Sequence, residues 1–234
     1  MQKHEKAEAI RQLYTIPLEA GEIALIFLEY SAVIMRLPDA AIGMDLGKSV
    51  ETNQIQAIES LDLLLLSHTH SDHYQPRVIR QILKIASPKI FVEPMIAKEL
   101  DGKAIAEKVT AIHPGEPVKE GQFEITAIAG VHPRPITLFH VKGPDFSLFH
   151  GGDSGYVPLK EYPAEFAILP CGAPSPSCTL ETALQMTIDL QPKVVLAVHG
   201  RDEQRWECKQ LIERERPGTR VHITKPFEPI TIVF

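Results

Sequence analysis

Cysteine is scarce in this sequence: Cys171, Cys178 and Cys208 are the only three among 234 residues. The number is odd and no CxxC pair occurs. This argues against a disulfide framework and against a cysteine-built zinc knuckle, and it favours a reducing, cytoplasmic setting. Long apolar runs are also missing. The longest candidate, residues 23–28, is strand-sized, far short of the roughly 20 residues that span a bilayer. The opening MQKHEKAEAIRQLY is charged and has no apolar core of signal-peptide length. Nor is there an excess of basic residues. A net charge of -6 gives no broad positive field for nucleic acid, which makes a nucleic-acid substrate the less favoured class. Internal repeats, low-complexity tracts and linker-like segments are absent.

What is present describes an ordinary globular chain, 44% hydrophobic and 23% charged, with enough apolar residues to bury a core. The length suits one large layered domain over residues 1–234 better than two small ones. Apolar stretches at 22–29, 32–37 and 41–46 predict strands, with Leu37-Pro38-Asp39 as a turn. Residues 49–60 suit a helix, and the continuous apolar run 61–66 suits a strand buried on both faces. Pro76 opens a helix predicted over 76–86, and 89–93 reads as another strand. Further strands are predicted at 122–129, 136–141, 146–150, 165–169, 194–198, 220–224 and 230–233. Helices are predicted at 179–190 and 202–215. Strands followed by helix–strand alternation, twice over, imply an α/β fold of two mixed sheets with helices outside.

The strongest chemical signal is His68-Thr69-His70-Ser71-Asp72-His73. Four metal-competent side chains lie within six residues, directly after a predicted buried strand. An extended segment turns His68, His70 and Asp72 to one side, and a bend into the next helix can bring His73 beside them. Imidazole nitrogen with carboxylate oxygen suits zinc, manganese or iron. A structural zinc site is the weaker alternative, because such sites usually use cysteine and none is near. One segment cannot complete a binuclear centre. His132, Asp153 and His199 each follow a predicted strand and are the candidates for the remaining ligands. Singly, each has an ordinary reading as a solvated histidine or a turn-capping aspartate; their common placement at strand ends raises them above it.

Four segments together, HTHSDH, Val131-His132, LFHGGDSGY and VVLAVHG, resemble the metallo-β-lactamase superfamily. The similarity is to the metal-dependent hydrolase branch that includes ascorbate-6-phosphate lactonase, and it runs from about Glu22 to the end. It rests also on EFAILPCGAPSPSCTLETALQMTIDLQPKVVLAVHG, residues 165–200. The resemblance implies a four-layer αββα sandwich of two mixed β-sheets with a binuclear metal site. Carried over by position, His68, His70 and His132 would hold one ion, Asp72, His73 and His199 the second, and Asp153 would bridge them. Two departures bear on the substrate. Relatives often have a Gly-His pair where this chain has Glu29-Tyr30-Ser31, and a His and Met in the loop where it has Pro174-Ser175-Pro176-Ser177-Cys178.

Two such ions can share a water and lower its pKa toward about 7. The resulting bridging hydroxide would attack, with Asp72 orienting it and taking its proton. No serine or cysteine nucleophile is needed, and the cysteines read as small buried residues. His150 would lie behind the ligands and steady one of them, or serve as a plain core histidine. Arg134 and Arg201 follow two predicted ligands and could grip an anionic substrate group; a solvated surface arginine is the ordinary alternative for each. Tyr156 could donate to an oxyanion or simply pack.

The leading expectation is a hydrolase of a lactone or other ester-type bond in a small, anionic substrate, with two divalent ions, zinc first and manganese or iron as alternatives. The alternative is a phosphodiesterase or nuclease on the same site. RNA-cutting relatives usually carry an arm or inserted domain that this chain lacks. A thioester hydrolase like glyoxalase II would add a helical C-terminal domain, but only 35 residues follow His199. A di-iron redox protein would carry Glu at the position of His70. A non-catalytic metal-binding protein is disfavoured by the complete ligand set. No membrane partner is expected, and a homo-oligomer is compatible with everything above.

Overall fold

A computed structural model describes residues 2–115 and 117–233. The chain divides into two compact units, one formed by 2–112 with 224–233 and one by His113–Ile223. Each is built on a mixed seven-stranded sheet among the described residues.

The first unit opens with helix α1 (Lys3–Thr15). An antiparallel run follows: β1 (Glu22–Phe27), β2 (Val33–Arg36) and β3 (Ala41–Met44). Short α2 (Thr52–Ile55) leads to β4 (Leu63–Leu66), then α3 (Pro76–Ile82), β5 (Lys89–Val92), α4 (Pro94–Leu100), a single 3₁₀ turn (Ala106–Lys108) and β6 (Val109–Ala111). Strands β3 to β6 are parallel. The last strand, β14 (Pro229–Val233), returns to pair with β1, giving the order β14-β1-β2-β3-β4-β5-β6. The all-leucine β4 is fully buried, as an interior parallel strand covered on both faces must be. Ile10 and Leu13 of α1 join Ile26, Ile34, Leu64 and Ile79 in the core under the helices.

The second unit contains β7 (Val118–Glu120), β8 (Phe123–Ala129), β9 (Thr137–Lys142), β10 (Ser147–His150), β11 (Phe166–Pro170), α5 (Leu180–Leu190), β12 (Val194–Val198), α6 (Asp202–Glu215) and β13 (Arg220–His222). Its order is β13-β12-β11-β10-β9-β8-β7. Strands β7 to β10 run antiparallel to their neighbours, and β10 to β13 run parallel. The β9–β10 turn closes with the Gly143 N–H donating to the Phe146 carbonyl at 2.9 Å, where a turn was expected. Thr179 caps α5, its hydroxyl accepting from Thr182 N–H. Met186, Leu190, Cys208 and Ile212 of the two helices share a core with Leu169, Val195 and Ala197.

The outer strand β13 is closed from its own unit. In a parallel pair alternate peptide groups face the neighbour, which leaves those of Val221 facing outward. Glu213 Oε1 accepts from Val221 N–H at 3.0 Å, and Lys209 Nζ donates to the Val221 carbonyl at 2.7 Å.

The fold class is the one expected, two mixed sheets flanked by helices. The helix expected over 49–60 is shorter. Only Thr52–Ile55 is α-helical, and the chain continues in tight turns, with Ala57 N–H donating to Gln54 O and Ile58 N–H to Ile55 O. Four elements carried too weak a pattern to be predicted. Helix α1 buries two alanines beside Ile10 and Leu13, a face with few large apolar residues. Helix α4 starts on a proline, and β6 and β7 are three residues each with no fully buried residue. No helix among the described residues is long and apolar enough to cross a membrane.

Candidate metal centre

The parallel arrangement decides where chemistry can gather. In the first unit β3 and β4 run the same way, so Asp45 after β3 and Ser67-His68 after β4 emerge at one end of the sheet. The chain then turns on itself, with His73 N–H and Tyr74 N–H both donating to the His70 carbonyl. That turn carries His73 back beside His68, with Asp72 next to His73. The donor atoms of His68 and His70 lie within 4.8 Å of one another, as do those of Asp72 and His73. The rings of His68 and His73 are 4.1 Å apart between centroids.

Fixed tautomers follow from a buried network that sequence reasoning did not find. Asp45 sits in the left-handed region at φ 51° and is fully buried. Its carboxylate accepts from Ser67 N–H at 2.7 Å, from the Ser67 hydroxyl at 2.7 Å and from His73 Nδ1 at 2.8 Å. A carboxylate only accepts, so His73 carries its proton on Nδ1 and turns an Nε2 lone pair away from Asp45. The Ser67 hydroxyl has spent its one proton on Asp45, so its contact with His68 Nδ1 at 3.0 Å is accepted from the ring. His68 therefore presents Nε2 in the same way. Gly47 permits the close approach: a Cβ there would lie 2.3 Å from the Asp72 carbonyl and 2.6 Å from His73 N. The sequence trace of this network is slight, an Asp at the end of a strand parallel to the one that ends in His68, with a glycine two residues on.

In the second unit β8, β10 and β12 share a direction, since β9 is antiparallel to both neighbours and β10 to β12 are parallel. Their C-terminal ends release His132, Asp153 and His199 on one edge. His132 Nε2 and His199 Nε2 each lie 3.6 Å from Asp153 Oδ2, with all three side chains nearly buried. His132 Nδ1 lies 3.2 Å from both the N–H and the carbonyl of Arg134. His199 is left-handed at φ 46°, and its carbonyl accepts from Gly172 N–H at 2.8 Å and Cys171 N–H at 3.1 Å. Left-handed non-glycine residues cost free energy and gather at functional sites; Asp45 and His199 are two such positions, one in each cluster.

The spacing within the clusters is informative. Three Nε2–Oδ2 pairs stand at 3.6 Å, two of them buried and the third joining His73 to the partly exposed Asp72. That is too long for an N–H···O hydrogen bond, which lies at about 2.7–3.2 Å. It is the spacing of groups that converge on a common point rather than bond each other. Imidazole and carboxylate donors so arranged, with tautomers set by a buried carboxylate, fit a divalent metal ion.

The secondary candidates divide. His150 is the last residue of β10 and fully buried. Arg134 and Arg201 are exposed. The Tyr156 hydroxyl donates to Asp189 Oδ2 at 2.9 Å, and the Leu159 N–H reaches the same oxygen at 2.9 Å. All three cysteines are buried thiols. Burial pushes the Cys178 thiol far up, which keeps its proton available for donation. It pushes Cys171 up as well, with help from Cys208, whose sulfur lies 2.9 Å away.

With this geometry in hand, the chain's relationships are clear. It belongs to the β-lactamase superfamily domain family, whose model matches residues 24–199. Solved structures share the fold. Igni18, described as a novel metallo hydrolase from the hyperthermophilic archaeon Ignicoccus hospitalis KIN4/I, is similar with a TM-score of 0.76 at 22% identity, over 91% of this chain and 99% of that one. YhfI, a metallo-beta-lactamase fold protein from Bacillus subtilis, gives 0.68 at 18% identity over 90% and 100%. CmlA, a diiron beta-hydroxylase from Streptomyces venezuelae, gives 0.67 at 12% over 94% of this chain and 55% of its own. No curated protein sequence matches the chain significantly.

Proposed function

We propose that residues 1–234 form a single metal-dependent hydrolase domain in which both clusters serve one binuclear centre. His68, His70 and His132 would hold one ion, Asp72, His73 and His199 the other, and Asp153 both. The observation that carries this reading is the set of three imidazole–carboxylate pairs at 3.6 Å, joined to the fixed Nε2 presentation of His68 and His73. Zinc suits the donors best, with manganese and iron as alternatives. The free thiols fit a reducing, cytoplasmic setting.

Bound divalent ions supply acidified water and a polarised substrate oxygen. The chain's own residues do the rest. Asp72 is the most open of the site carboxylates, its side chain 16% exposed against 4% for Asp153 and none for Asp45. It is therefore the group that can accept a proton from an attacking water and later pass it to a leaving oxygen. Asp153 is too enclosed for that task and suits a fixed ligand. Arg134 and Arg201, exposed beside His132 and His199, suit an anionic group on a small substrate. A lactone or other ester-type bond is the preferred target, on the similarity of LFHGGDSGY and PKVVLAVHG to the lactonase branch.

Metal content by mass spectrometry, with a lactone, a phosphodiester and a thioester assayed on the same sample, tests this. Two equivalents and lactone turnover are expected. Asp72→Ala and His70→Ala should each abolish turnover while the circular dichroism spectrum is kept. Turnover of the phosphodiester alone would move the reading to a phosphodiesterase. No bound metal after addition of zinc, manganese or iron would overturn it.

A further inference from the structure

We infer that Ser175 and Cys178 are positioning residues that clasp the main chain of Asp153 and so aim its carboxylate. The inference rests on the functional reading above, in which that carboxylate serves both ions. The Ser175 hydroxyl donates to the Asp153 carbonyl at 2.6 Å, and the Cys178 thiol reaches the same oxygen at 3.0 Å. A carbonyl oxygen has two lone pairs, and both are met from a single loop. The thiol also lies 3.3 Å from the Ser154 carbonyl and 3.1 Å from Ser175 Oγ, and the Ser177 N–H approaches Ser175 Oγ at 3.3 Å. Both side chains are buried, Ser175 at 7% and Cys178 at 7% exposure, so water does not compete for these bonds.

The segment they grip is a glycine-rich turn. Asp153 lies in GGDSG, where Gly152 is left-handed at φ 56° and the Ser154 N–H closes a turn onto the Gly151 carbonyl at 3.1 Å. A glycine-rich turn can rotate its peptide planes cheaply. A rotation at Asp153 would swing the carboxylate, whereas metal–ligand distances tolerate only about 0.2 Å. The clasp removes that freedom. Its effect extends to the neighbouring ligand. The Ser154 hydroxyl accepts from Val131 N–H at 2.8 Å, and the Gly155 N–H donates to the Val131 carbonyl at 2.8 Å. The backbone just before His132 is thus fixed to the backbone just after Asp153. The loop 174–178 therefore holds two ligands of the second unit in register without touching either donor atom.

The test uses the full chain and manganese(II) as the probe. Wild type, Ser175→Ala, Cys178→Ala and Cys178→Ser are titrated with manganese(II), and their electron paramagnetic resonance spectra are recorded. Circular dichroism of the unloaded proteins checks folding. Wild type should take up two equivalents and show the signal of a coupled pair. Each alanine variant should bind the second equivalent about 10-fold more weakly and lose coupling, and Cys178→Ser, which keeps a donor, should recover most of both. Alanine variants with wild-type affinity and spectrum would overturn the clasp while leaving the binuclear reading intact. Equal losses in Cys178→Ser and Cys178→Ala would also overturn it, by making the sulfur a packing group only. Wild type that binds one equivalent or none would overturn the functional reading itself, and this inference with it.

Discussion

Asp45→Asn tests the link between the proposed metal site and its scaffold with a change of one heavy atom. Asp45 gives two acceptor oxygens to three donors: Oδ1 to Ser67 N–H, and Oδ2 to the Ser67 hydroxyl and His73 Nδ1. An asparagine has one acceptor oxygen and an NH₂ group. If its oxygen replaces Oδ2, the NH₂ group faces the Ser67 N–H, donor against donor. If its oxygen replaces Oδ1, the NH₂ group faces His73 Nδ1, and the ring must move its proton to Nε2, where a metal would bind. Either way a buried donor is left unmet, at a cost of about 1–3 kcal/mol, with a further loss from weaker uncharged bonds. The expected total is about 2–4 kcal/mol of unfolding free energy, a large share of the ~5–15 kcal/mol of a typical domain. Zinc affinity should fall about 10–100-fold because His73 loses its orientation. Urea unfolding of the unloaded protein measures the first quantity, and competition with a chromogenic chelator measures the second. A variant that loses stability but keeps wild-type zinc affinity would refute the argument that Asp45 sets the His73 tautomer.

Gly47→Ala should push the Asp72–His73 turn outward, because the new methyl group meets backbone at 2.3 Å. We expect about 1–3 kcal/mol of destabilisation and less bound zinc after dialysis; unchanged zinc content would show that the turn can yield at no cost. His140 gives a pH dependence. It is buried, with Nε2–H donating to the Pro163 carbonyl at 3.0 Å, and burial pushes its pKa down. The unfolded chain therefore takes up a proton at about pH 6.5 that the folded chain resists. Its contribution to stability is complete above that pH and declines as the pH falls below it. His140→Gln should flatten the fall in urea midpoint between about pH 7.5 and 5.5, and an unaltered slope would assign the effect to other histidines.

The parts of this site visible in the sequence are those whose signal is local or repeats a pattern. HTHSDH concentrates four donors in six positions, and His132, Asp153 and His199 each follow a recognisable strand. Asp45 follows a strand in the same way, but it has no donor-type neighbour, so a lone aspartate reads as a turn. Only the parallel pairing of β3 with β4 brings it to His73. Ser175 and Cys178 are further out of reach, because what they recognise is a main-chain oxygen, which leaves no trace in residue identity. In the scaffold, strand-length runs rich in leucine and isoleucine were legible. Helix α1 was not, since alanines supply half of its four buried residues.

The charge pair across β13 sets a limit on how this sheet can grow. Lys209 and Glu213 stand one helical turn apart, with Cβ atoms roughly 6 Å from each other, and between them they occupy the single outward peptide position of a three-residue strand. An insertion that lengthened β13 by two residues would create a second outward N–H and C=O that this pair could not span. Bare groups of that kind recruit strands from other molecules. Variation in length is therefore better absorbed before β13, in the Arg216-Pro217-Gly218 turn, than within the strand.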